Sequence, residues 1–392
     1  MRSRRSPSAL SALSALVVLV VVGAPAPSAS AAPTALAAND FRLSEGEYNP
    51  VIAQLDDELP VASVPAVLDS ANRAATTSGC DPAATGQLAA FCWQSGDNST
   101  PDWYPQGIST TADAYDSGTY EGRTAVFVSW YYNGSGTDKG ARISFVDYEN
   151  PSAPEYRHVL LVEPYTNSAG QPDFRPVTIH AGGIFTYGHY LYSADTWGGF
   201  RAFDLRHLWK VSTGDEAKIG RQSDGSYHAF NYAYALPQAQ KFTASTTNDV
   251  ARLRYSAASL DRTTSPDSVV VPEYNADGTG SRVVRFPIDD TDRKFAESDD
   301  GYTHATEAYR TDIPSMQGAT AIDGEFLVSA SAGSGSRGSV HTFTADSGPT
   351  KHSSAQPIGP EDLSYRGPDQ QLWGLTEYPG TRFVYAMDPA AF

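Results

Sequence analysis

One unit recurs four times along this chain: a lead-in of small residues, a short strand, a tight turn and a second alternating strand. A lone β-sandwich would not require such repetition, whereas ring architectures are built from it. The fullest copy is residues 177–205, VTIHAGGIFTYGHYLYSADTWGGFRAFDL. Val177, Ile179, Ala181, Gly182 and Gly183 suit an inner strand crowded around an axis. Residues 187–189 then turn the chain, residues 190–194 form a second strand, and residues 196–199 make a turn needing positive φ. A third strand alternates strictly through Phe200, Ala202 and Asp204.

The same grammar returns at residues 106–147, 316–343 and 359–388 with different residues. These copies predict an all-β fold, a single β-propeller. The 33 glycines and 26 prolines in 392 residues fit many short strands and turns and argue against long helices. Helical periodicity is confined to residues 57–75, so a doubly wound α/β fold is excluded.

The N-terminus reads as a secretory signal: Arg2, Arg4 and Arg5 precede a short apolar stretch, with cleavage-like small residues at 29–31 and 35–37. The division is therefore residues 1–37 as signal peptide and flexible tail, and 41–392 as one propeller domain. Residues 41–68 are expected to supply the N-terminal strand that closes the ring, and residues 32–40 to be a loose tail. The expected location is extracellular.

The formal charge is −17, and without the three signal arginines about −20. Such a surface repels polyanions, so nucleic acid and anionic membranes are excluded as partners. It suits solubility, cation binding or steering toward a basic patch on another protein. The two cysteines, Cys80 and Cys92, are expected to pair in an oxidising compartment.

His180 precedes the small-residue run of its repeat, and Gln106, Gln317 and Glu361 hold similar places in theirs. Together they predict a polar channel mouth able to hold a small ligand or metal, although propellers also fill their channels with satisfied polar groups for structural reasons. The acidic stretch at Asp290, Asp292, Glu297, Asp299 and Asp300 offers oxygen ligands for calcium, or is a solvated loop. No resident cofactor is required and no catalytic motif is complete; residues 333–336 form a turn, not a nucleophile elbow.

The runs Arg157-His158-Val159-Leu160-Leu161-Val162-Glu163-Pro164, His180-Ala181-Gly182-Gly183-Ile184-Phe185 and 194–205, with the Asn49-Pro50-Val51 stretch, the cysteine pair and the closing 359–363 run, resemble secreted bacterial β-propellers, the dispase autolysis-inducing proteins among them. That resemblance implies seven blades and no enzymatic activity. It also implies induced self-digestion of dispase and related thermolysin-like metalloproteases, and service as a glutamine-donor substrate of a secreted transglutaminase, the chain being monomeric before cross-linking. No particular glutamine is carried over by motif; on local grounds Gln54, Gln87 and Gln94 are the candidates, each near a turn and beside apolar residues. The alternatives are a lactonase-like channel hydrolase using His180 and Glu361 with a bound cation, and a cross-linked cell-wall structural protein.

Overall fold

The structure, a computed structural model, describes residues 31–392; the signal segment proper lies outside the described residues. Five four-stranded antiparallel sheets radiate from one axis. The first blade is Trp103–Thr110, Ala125–Tyr132, Ala141–Asp147 and Glu155–Thr166. The second is Ile184–Tyr187, Tyr190–Asp195, Gly199–Asp204 and Tyr234–Thr246, and the third Ser259–Asp261, Ser268–Pro272, Arg282–Asp289 and Glu307–Arg310. Met316–Ile322, Glu325–Ala330, Ser339–Phe343 and Thr350–His352 make the fourth. The fifth takes Pro360–Arg366, Gln371–Thr376 and Phe383–Met387 from the C-terminus and Gln87–Cys92 from the N-terminal part.

The all-β propeller closed by an N-terminal strand therefore stands, with two corrections. The ring has five blades, not seven. The closing strand is Gln87–Cys92; residues 41–68 instead supply Phe41–Glu45, which extends the outer edge of the second blade, and the helices Val51–Glu58 and Val64–Asp69. Nor are residues 32–40 a loose tail, since Thr34–Ala35 pairs with the outer strand of the third blade and buried Asp40 accepts hydrogen bonds from Thr247 and Asn248. In the second blade the inner strand begins at Ile184, with Val177, Ile179 and the glycines leading into it.

Hydrophobic residues fill the gaps between blades. Phe185, Tyr192, Phe200, Phe242 and Phe295 pack together between the second and third, and Trp93, Trp130 and Tyr156 form edge-on contacts beside the fifth and first. Near the axis the backbones themselves touch. A Cβ on Gly183 would lie 2.1 Å from Ala258 N, and one on Gly318 2.7 Å from Asp362 Cα, so only glycine allows these inner strands to meet. The outer strands of the first two blades pair in parallel through Leu160–Val162 and Ala235–Pro237, joining them into one continuous sheet.

The Cys80–Cys92 disulfide is formed, with a Cα–Cα separation of 5.6 Å. Cys92 ends the closing strand, so the bridge fastens the segment that completes the fifth blade. For a loop of this size the chain-entropy account gives about 3 kcal/mol. Replacing both cysteines by alanine should lower the urea midpoint by an amount of that order, and adding reductant to the variant should change nothing further. Among the described residues no helix is long and apolar enough to cross a membrane.

Candidate functional site

Every blade sends residues to one open cavity of about 570 Å³ at the end of the axis. Gln106 comes from the first blade, His180, Thr196 and Trp197 from the second, and Arg254, Ser256 and Tyr274 from the flanks of the third. Ser315, Gln317 and Ser331 come from the fourth, and Glu377 and Tyr378 from the fifth. Three of the four residues expected at a channel mouth, Gln106, His180 and Gln317, thus share one wall. The fourth, Glu361, lies directly beneath: the Gln317 amide donates to its Oε1 at 3.0 Å, and it is 2% exposed.

Sequence reasoning missed Glu377. It follows the strand Gln371–Thr376 and is hydrogen-bonded to Glu361, while the Gln106 amide donates to its Oε2 at 3.3 Å. Burial, with the neighbouring carboxyls, pushes Glu361 well above the ordinary carboxylate range, and burial also raises Glu377. Glu361 therefore carries the proton and Glu377 accepts from it, from Gln106 and from the Tyr378 hydroxyl. Glu361, protonated and sealed under the Gln317 amide, offers a cation no charge, which leaves Glu377 as the cavity's charged oxygen ligand. Two carboxyls in hydrogen-bond contact also cannot flank a glycosidic bond, which needs them about 5 to 9.5 Å apart.

Arg254 was missed as well, and it is the unusual residue of the cavity. Its guanidinium lies over the Tyr274 ring, 4.8 Å from the centroid, and its Nε is buried without a hydrogen-bond partner. His180 stacks against Tyr131 with ring centroids 4.2 Å apart; the enclosing walls and the Arg254 charge lower its pKa, favouring the neutral ring. Trp197, on the turn between two strands of the second blade, is 57% exposed at the rim. The Thr196 carbonyl accepts from Tyr255 N at 2.9 Å, which docks this turn against the segment carrying Arg254.

Below the cavity the axis is closed by a second carboxyl group. Asp362, wholly buried, accepts the backbone N–H groups of Ile108 and Ile184 through Oδ2, both at 3.3 Å. Asp113 accepts from Ser109 and Ser364 at 2.6 and 3.0 Å, and Ser109 meets Thr186 at 3.0 Å. These bonds tie the first, second and fifth blades across the axis. Burial raises the pKa of Asp113 to about 6 and holds that of Asp362 well above its ordinary value.

The other expected sites lie elsewhere. Gln54 is exposed on the helix Val51–Glu58. Gln87 is exposed at the start of the closing strand, its Oε1 accepting from Ala84 N. Gln94 is exposed before a short helix. Gln54 thus sits on a helix, Gln87 on a strand and Gln94 at the cap ahead of a helix. In the acidic stretch, Asp289 accepts from Thr291 and Asp292 N–H groups and Asp300 pairs with His304. Among the described residues no group of three or more His, Cys, Asp or Glu is gathered to hold a metal.

The fold and site define a five-bladed propeller with a polar axial cavity. No family model and no curated protein matches the sequence. Among solved structures it is similar to the Cps50 (Swd1) β-propeller domain of Myceliophteria thermophila, at 8% identity and a TM-score of 0.34, over 74% of this chain and 98% of that one. It is also similar to the GH43_1 enzyme of Xanthomonas citri, at 9% identity and a TM-score of 0.31, over 86% and 92%. The same enzyme complexed with xylose scores 0.30 at 9% identity, over 86% and 91%. At these values no activity passes from those proteins to this chain.

Proposed function

We propose that this chain is a secreted, non-enzymatic binding protein that induces self-digestion of neutral metalloproteases of the dispase and thermolysin type, and that it donates surface glutamines to a secreted transglutaminase. The reading rests on the resemblance carried by residues 157–164, 180–185 and 194–205, which lie together in the first two blades and include the exposed rim residue Trp197. The hydrogen-bonded contact of Glu361 with Glu377 disfavours two-carboxylate cleavage of a glycosidic bond at the axis. The strongly acidic surface favours encounter with a basic face. By binding a partly opened form of the protease, the propeller raises the population that neighbouring protease molecules cut.

The test is the decay of a purified thermolysin-like protease with and without the mature chain in saturating calcium. Faster loss with new protease fragments is expected. Unchanged decay removes the reading, and rescue by calcium alone assigns the effect to stripping of the protease's own ions.

A further inference from the structure

Arg254 stands alone in a chain where acidic residues outnumber basic ones by 45 to 28. Most arginines around it have carboxylate partners: Arg282 holds Glu273, Arg285 holds Asp261 and Glu307, and Arg201 holds Asp195. Arg254 makes no ion pair and donates no side-chain hydrogen bond among the described residues, and its buried Nε is unpartnered. A buried unpaired donor on a cation is costly unless something outside the chain satisfies it. The guanidinium lies over the Tyr274 ring and borders the axial cavity, so it is placed to meet a planar anion there.

The rest of the wall narrows the ligand. Trp197 exposes more than half its surface at the rim beside Arg254, which suits a flat ring face. The amide nitrogens of Gln106 and Gln317 are engaged by Glu377 and Glu361, leaving each side-chain carbonyl to accept from a ligand. The acid pair on the floor shares a proton, so the floor carries less charge than two free carboxylates would and does not repel an anion as strongly. The volume, about 570 Å³, is ample for one ring-sized molecule.

We propose that the axial cavity binds a small carboxylate-bearing ring compound, its carboxylate on Arg254 and its ring face on Trp197. This site is independent of the protease reading above and needs no protease present. Two sources supply that chemistry, a sugar acid and an aromatic acid, and the probes separate them: glucuronate and benzoate, each set against its uncharged counterpart, glucose and benzyl alcohol. Calorimetric titration of the mature chain should give binding of at least one carboxylate and of neither neutral compound at the same millimolar concentrations. Arg254→Gln should weaken that binding by about tenfold or more, since it removes a charge-assisted pair, and leave the chain folded with only a small shift of the unfolding midpoint, because the guanidinium's contact within the fold is with the Tyr274 ring. Trp197→Ala should weaken it without altering the preference for the charged compound. Equal binding of neutral and charged probes, wild-type affinity in Arg254→Gln, or no binding of either carboxylate overturns the assignment.

Discussion

Asp97→Ala should be among the most destabilising single substitutions in this protein, costing on the order of 3–5 kcal/mol. Asp97 sits in the short helix Ser95–Ser99, just after the closing strand, and is 8% exposed. Its Oδ1 lies 3.0 Å from both Arg142 Nη2 and His158 Nε2, and its Oδ2 lies 2.7 Å from the Tyr156 hydroxyl and 3.1 Å from Arg73 Nε. Arg142 is pressed between Trp103 and Trp130, 4.4 and 4.8 Å from the ring centroids, and only 4% exposed. Burial alone would raise the Asp97 carboxyl, but these partners hold it far below its ordinary range.

His158 contributes as a neutral ring, held by Ser144 at Nδ1 with Nε2 3.0 Å from Asp97, and not through charge at neutral pH. Burial and Arg142 push its pKa down to about 3. Ser144 lies 2.9 Å from its Nδ1 and is itself reached by the Trp130 N–H at 2.8 Å, which leaves Nε2–H facing Asp97. Removing Asp97 strands a buried guanidinium and unties the closing strand's continuation from the first blade. Urea denaturation of Asp97→Ala checks this, with the slope confirming two-state unfolding. A loss below about 1 kcal/mol would mean that the charge is solvated after all.

How much of this was legible in the sequence depended on how local the signal was. The first, fourth and fifth blades announce themselves by alternating strands around glycine turns, and the strands fall where those turns place them. The third blade has a three-residue inner strand and long polar connections, so no period survives in the sequence. In the second, an insertion holding the hairpin Ile219–Arg221 and Tyr227–Ala229 separates the outer strand from the rest. The blade number was consequently out of reach.

The closing strand was missed because Gln87–Cys92 has no partner nearby in sequence; its pairing with Phe383–Met387 exists only once the ring is complete. The axial cavity divides in the same way. Gln106, His180 and Gln317 were found because equivalent places in a repeat converge on one axis. Glu377 and Arg254 were not, since one follows the second strand of its blade and the other precedes an unrecognised one. Arg254 matters because of what it lacks, and an absent partner leaves no trace in a sequence.

Asp362→Asn should reverse the alkaline decline that the buried axis imposes on stability. Asp362 and Glu361 are driven above their ordinary range by burial, and Asp113 to about 6. In the unfolded chain such carboxyls release their protons near pH 4. The folded state thus binds more protons between those limits, and by linkage its stability falls as pH rises from about 4 up to the raised values and then levels off. On the acid side the buried neutral histidines act oppositely. His158 and His341, lowered by burial to about 3 and about 4, must stay uncharged in the fold while the unfolded chain takes up protons below about pH 6.5. Stability should peak in mildly acidic solution and fall on both sides. Asparagine at 362 keeps a carbonyl oxygen for the N–H groups of Ile108 and Ile184 and removes the titrating proton. Its stability should therefore match wild type near pH 4 and exceed it near pH 8.5, the gap growing by as much as about 1.4 kcal/mol for each pH unit between the unfolded carboxyl's value and the raised folded value of Asp362, and levelling off above it. If the variant is instead less stable than wild type at both values, Asp362 is ionised in the fold and its charge is what gathers the three inner strands.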